Sequence, residues 1–158
     1  MRTYQNLILK SFIFFMGSLI AALCIFLLPN LAKDTAISNP DFAYLRFPVL
    51  TYVILSTVPF YFALFKANQL LNLINRKAAF TTESVQALKW ISICGSAIAL
   101  AYLVLSIILF LLNALHPGIM IAFAVLILTA FTISFFANLL KILLVEALDF
   151  KNDVDLTI

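Results

Sequence analysis

KANQLLNLINRKAAFTTESVQALK, Lys66–Lys89, is the long polar interval of this chain, set between long apolar segments. Ala67, Leu70, Leu71 and Ile74 repeat at i, i+3, i+4 and i+7, so a helix entering from the N-terminal side runs on through them. Asn75, Arg76 and Lys77 put polar and cationic groups where the negative end of a helix dipole favours them. Thr81 is spaced to N-cap a second helix, with Glu83 in its positively polarised first turn. Phe80 and Val85 stand at the two positions of a hydrophobic staple. Residues 66–89 therefore predict a helical hairpin, with a long apolar segment leaving each of its ends.

Working outward, the rest of the chain is unlike a soluble protein. Of its 158 residues 65% are hydrophobic and 11% charged, against roughly 45–50% and 25% in soluble domains. The apolar residues form blocks at 11–28, 47–65, 90–112 and 119–140, none containing Lys, Arg, Asp or Glu. Each is close to the roughly 20 residues that cross a hydrocarbon core of about 30 Å. A small soluble protein cannot enclose four helices that are apolar all round. The expectation is an all-α polytopic membrane protein: one domain, 1–158, a four-transmembrane-helix bundle with the hairpin as its extension.

Cations set the orientation. Arg2, Lys10, Lys66, Arg76, Lys77, Lys89, Lys141 and Lys151 lie on the hairpin side, and only Lys33 and Arg46 on the other. The positive-inside rule places both termini, the hairpin and the tail 141–158 in the cytoplasm, for a multi-pass protein of a bacterial plasma membrane. The partner this implies first is the lipid bilayer. With no soluble basic domain, direct nucleic-acid binding is not expected.

Along the chain, Met1–Leu28 has a basic start and an apolar run, but the run is too long for a signal peptide and lacks a cleavage site. It is read as a retained first span. Residues 29–46 then form an outer loop, with Asn39 as a cap, Pro40 at the first helical position, and Phe42, Tyr44, Leu45 and Phe47 as an interfacial anchor. Pro59 is expected to kink the second span near Leu55–Ser56, with Ser56 and Thr57 near enough to satisfy freed carbonyls. Trp90 anchors the third span at the inner interface. Gly17 with Ala21, and Gly95 with Ala99, have the small-xxx-small spacing that lets membrane helices approach closely. Residues 113–118 make a tight outer turn. The end of the chain alternates acidic and apolar residues from Asp153, which predicts a strand-like or unstructured tail.

Chemistry is sparse. His116 is the only histidine and reads as a turn residue, so neither metal nor cofactor is expected. Cys24 and Cys94 fall at opposite depths and cannot pair. The span serines have no His, Lys, Asp or Glu at membrane depth to activate them, so the chain is not expected to be an enzyme. The same lack argues against ion-coupled transport. Tyr102, in the middle of the third span, needs a hydrogen-bond partner and is expected to find it on another helix.

The pattern resembles an uncharacterised bacterial four-helix membrane family, domain-of-unknown-function family 2975 (DUF2975). The resemblance rests on LCIFLLPNLA (23–32), AYLRFPVL (43–50), FYFALFKANQLLNLINRKAAFTTESVQALKWI (60–91) and DFKNDVDLTI (149–158). It brings no catalytic residues. It implies, by genomic association, a small helix-turn-helix transcriptional regulator as a partner.

Two functions follow as expectations. One is a regulatory or accessory module that binds a cytoplasmic partner through Arg76, Lys77, Phe80, Lys89, Asp153, Asp155 and Ile158. Here the acidic tail would dock on the basic hairpin until a partner replaces it. The other is a small transporter or lipophilic-ligand-binding protein, with a homo-oligomer or a subunit of a larger complex as the structural alternative.

Overall fold

The computed structural model describes residues 2–157, and Ile158, named above among the partner-binding residues, lies outside them. Every regular element among the described residues is helical: α1 (Arg2–Ala22), a π turn (Leu23–Leu27), α2 (Leu28–Ser38), a 3-10 turn (Pro40–Leu45), α3 (Arg46–Asn75), α4 (Thr82–Leu111) and α5 (Pro117–Thr157). These make 4 helical segments long and apolar enough to cross a membrane. The accessible surface is 11211 Å², whereas a soluble globular protein of 17.6 kDa would expose about 7,900 Å². The excess is apolar side chains pointing outward along every span, a surface suited to lipid.

α4 is the central helix. It alone carries a long buried stripe, from Ser84, Ala87 and Leu88 through Cys94, Gly95 and Ala99 to Tyr102, Leu105 and Leu109. It packs antiparallel against both α3 and α5, while α1 packs mainly on α3. The α4–α5 seam closes on Gly95. A Cβ placed there would lie 3.0 Å from the Ala130 carbonyl oxygen and 3.0 Å from the Ser134 Cβ, so only glycine allows this approach. Gly17, of the same motif type, has looser surroundings, with its nearest neighbour 3.5 Å away on Leu64.

Hydroxyls tie the helices together where no charge is present. The Ser134 hydroxyl donates to the Ser92 carbonyl at 2.7 Å. Tyr52 donates to the Ala101 carbonyl at 2.8 Å, and the Tyr102 hydroxyl lies 3.0 Å from Ser56 Oγ. Because Ser56 spends its own proton on the Val53 carbonyl at 2.6 Å, Tyr102 is the donor in that pair. The expected interhelical partner of Tyr102 is thus Ser56, and its ring also meets Phe123 edge-on at 5.4 Å. Tyr61 links α3 to α1 through the Gly17 carbonyl at 2.8 Å.

Three local expectations need correction. The first span does not end at Leu28: helix continues to Ser38, so most of the expected outer loop is helical. The cause is the π turn, in which the Leu28 N–H reaches back to the Leu23 carbonyl. That wider turn relieves the clash of the Pro29 ring with the preceding turn, and the helix resumes. Below Pro59, the Ser56 and Thr57 hydroxyls bond the Val53 and Ile54 carbonyls rather than the Leu55 carbonyl that proline frees. Finally, the tail is neither strand nor coil but the end of α5. No Gly or Pro follows Gly118, so a helix already nucleated in the membrane gains one bond for each residue it adds.

Candidate functional site

The hairpin tip is built from two opposed helix ends. At the end of α3, Lys77 N–H bonds the Ile74 carbonyl at 3.1 Å and Ala78 N–H the Leu73 carbonyl at 2.9 Å, with Lys77 left-handed at φ 60. This is a Schellman motif with lysine where glycine is usual. The same motif ends α4, with Asn113 at φ 53 and bonds from Asn113 to Phe110 and from Ala114 to Leu109.

α4 starts at the expected cap, Thr81, in extended backbone (φ −140, ψ 159), with its carbonyl accepting from Ser84 and Val85 N–H. The expected side-chain cap is absent, however. The Thr81 hydroxyl donates to the Ala78 carbonyl at 3.0 Å and lies 3.3 Å from Ser84 Oγ, and Ser84 is completely buried at 0%. The turn leaves the Ala78 carbonyl inside the tip, and the hydroxyls answer that acceptor instead of the helix N–H groups. Phe80 remains 59% exposed, so any packing on Val85 covers the smaller part of its ring.

Arg76, Lys77, Phe80 and Lys89 are all exposed, as are Asp153 and Asp155. The α4–α5 register follows from Ser92 opposite Ser134 and Tyr102 opposite Phe123. Carried on at about 1.5 Å per residue, it puts the hairpin tip level with the stretch just before Asp149, and residues 149–157 project roughly 13 Å beyond it. Every residue from Asp149 to Thr157 is exposed, with Val154 at 58% and Leu156 at 87%. The expected docking of the tail onto the hairpin is therefore not what the chain forms. The reason is mechanical, since a straight helix carries the acids past the basic tip rather than back onto it. Lys66, Phe62 and Trp90 mark the base of the hairpin: Trp90 meets Phe62 edge-on at 5.6 Å and the Lys66 ammonium lies 5.5 Å from the Phe62 ring.

At the opposite end of the bundle lies a feature that sequence reasoning missed. α2, the 3-10 turn, the first turns of α3 and the α4–α5 connection line a half-open cavity of about 860 Å³. Its walls are mostly aliphatic, with Val53, Leu109 and Phe123 among the deeper residues and Asn39, Arg46, Asn113 and His116 as polar groups. No lining residue is acidic. Arg46 Nε is buried with no hydrogen-bond partner, and its guanidinium carbon stands 5.2 Å from the Phe47 ring. His116 Nδ1 accepts the Gly118 N–H at 3.2 Å, which leaves the proton of a neutral ring on Nε2. The signal in the sequence was Arg46 itself, a cation at the edge of a span on the cation-poor side. Its role is legible only once α2 is known to be helical and to lean over it.

Cys24 and Cys94 are both free thiols, and among the described residues no group of three or more His, Cys, Asp and Glu could hold a metal ion.

Helical spans, lipid-facing surfaces and hydroxyl ties define a polytopic all-α membrane protein. The family described as "Protein of unknown function (DUF2975)" matches over residues 30–158, and the chain belongs to it. A curated relative, the "Uncharacterized membrane protein YoaS" of Bacillus subtilis (strain 168), is 37% identical over 160 residues and covers 100% of both chains. No solved structure matches significantly.

Proposed function

We propose that this protein is a non-catalytic regulatory or accessory module of the bacterial plasma membrane, with both termini cytoplasmic, that offers the end of α5 to a cytoplasmic protein. The observation that carries the reading is the exposed, projecting helix Asp149–Thr157. On it Phe150 and Val154 recur at i and i+4, with Asp149 and Asp153 recurring beside them. An apolar stripe flanked by charge is the form of a helix that lays itself in a partner's groove. The exposed Arg76, Lys77, Phe80 and Lys89 at the neighbouring tip supply a second contact of opposite charge. A small helix-turn-helix regulator is the partner that the family resemblance implies.

The orientation rests on the asymmetry of cations across the spans. Cysteine labelling in a Cys-free background tests it. Asn39→Cys and His116→Cys react with an impermeant maleimide on intact cells, and Lys77→Cys reacts only after permeabilisation. Docking is tested by co-purifying the regulator with the full chain and with Phe150→Asp/Val154→Asp. Recovery falls at least tenfold in the double variant. Equal recovery from both chains, or none from either, refutes docking through α5.

A further inference from the structure

We propose that the cavity at the 39–46 end is a binding site for one anionic amphiphile, whose carboxylate or phosphate head pairs with Arg46 while its hydrocarbon chain runs inward between α3 and the α4–α5 connection. The orientation proposed above makes this the outer leaflet, but the site itself does not depend on the docking of a cytoplasmic partner.

The first argument is an unmet donor. Arg46 Nε is buried without a partner, and a guanidinium is charged at every physiological pH. A buried charged donor is stable only when something pairs with it. No acidic side chain lines the cavity to do so, and the position of the guanidinium over the Phe47 ring leaves the Nε–H unpaired. An anion from outside the chain would supply that partner, and the fork geometry of arginine matches a carboxylate or phosphate. His116 and the Asn39 and Asn113 amides also line the cavity and carry further donors.

The second argument is the shape behind the head. From Arg46 the lining continues one and two helical turns inward to Val49, Leu50 and Val53, facing Leu109 and Phe123. That is about 10 Å of depth along α3. A void with apolar walls beside a bilayer fills with hydrocarbon, because its lining atoms otherwise lack dispersion partners. A volume of about 860 Å³ lies within the roughly 300–1,000 Å³ of small-ligand sites. A cationic group at the rim and an aliphatic slot behind it select a molecule that is anionic at one end and apolar at the other. That chemistry has two sources, a free fatty acid or an anionic phospholipid of the surrounding leaflet.

The test uses the purified full chain in a neutral, non-ionic detergent, with 11-(dansylamino)undecanoic acid as the fluorescent probe. The probe binds saturably and is displaced by oleate, whereas oleyl alcohol, with the same chain and no charge, competes at least tenfold more weakly. Arg46→Gln weakens probe binding at least tenfold, and Arg46→Lys, which keeps the charge, loses less. Ala32→Phe, which adds a ring to the α2 wall of the slot, abolishes binding with Arg46 intact. Displacement by phosphatidylglycerol but not phosphatidylcholine, with phosphatidylglycerol retained in native mass spectra, identifies the phospholipid as the source. Displacement by oleate alone identifies the fatty acid. Equal competition by oleate and oleyl alcohol on the wild-type chain overturns the proposal whether or not the variants fold. So does undiminished binding by a folded Arg46→Gln chain.

Discussion

Gly95→Ala is the substitution most directly addressed by the packing of this molecule. The added methyl meets the Ala130 carbonyl oxygen at 3.0 Å, the Ser134 Cβ at 3.0 Å and the Ser134 Cα at 3.2 Å. Two of these three atoms are backbone, so no rotamer change relieves the contact and α5 must move away from α4. Overpacking typically costs about 1–3 kcal/mol, and a clash with backbone belongs in the upper half of that range. Alanine returns at most about 1 kcal/mol of helix propensity. The net loss is about 1–2 kcal/mol, equivalent to roughly a 5- to 30-fold larger open population. The movement also strains the bond from the Ser134 hydroxyl to the Ser92 carbonyl, one turn away. Cys94 reports the result, being buried and adjacent to the substitution. In a Cys24→Ser background in detergent, Cys94 reacts with maleimide about 5- to 30-fold faster in Gly95→Ala than in the parent. Gly17→Ala is the control: its Cβ finds neighbours at 3.5 and 3.7 Å, ordinary contact distances, and labelling stays within about twofold. Unchanged or slower labelling in Gly95→Ala would show that the close approach of α4 and α5 does not depend on the glycine.

Further predictions concern the tip and the interior. Lys77 holds φ 60, so Lys77→Gly stabilises the hairpin by about 1 kcal/mol, seen as slower amide exchange at Lys77 and Ala78; faster exchange would mean that the lysine side chain supports the turn. Thr81→Ala removes the donor to the Ala78 carbonyl and costs about 0.5–1.5 kcal/mol, whereas Thr81→Ser is near neutral. Exchange at Ser84 and Val85, whose N–H groups bond the Thr81 carbonyl, is the measurement, and equal protection in both variants would exclude a role for the hydroxyl. Tyr102→Phe keeps the ring against Phe123 and loses only the bond to Ser56. Interhelical hydrogen bonds in membranes average about 0.6 kcal/mol, so thermal stability in detergent falls slightly, and a loss above about 2 kcal/mol would assign Tyr102 a further role.

What the sequence determined by itself is what hydrophobicity and local spacing control. Charge-free blocks of membrane length made four spans unavoidable, because unpaired backbone in lipid must close its hydrogen bonds within helices. The tip at Arg76–Lys77 and the start of α4 after Thr81 were legible because helix ends are set by neighbouring residues. The partner of Tyr102 was predictable in kind, as a buried hydroxyl must be satisfied, but Ser56 as that partner was not. Tertiary structure decided the rest. Residues 29–46 read as an outer loop, and only the π turn before Pro29 shows how the helix passes through to Ser38. Thr81 looked like a side-chain cap, until a carbonyl from the preceding turn proved the nearer acceptor. The two small-residue motifs read alike, yet only Gly95 is pressed against another backbone. The cavity beside Arg46 draws its walls from residues 28 to 123. No local pattern encodes it, because a cavity belongs to the spacing between helices rather than to any one of them.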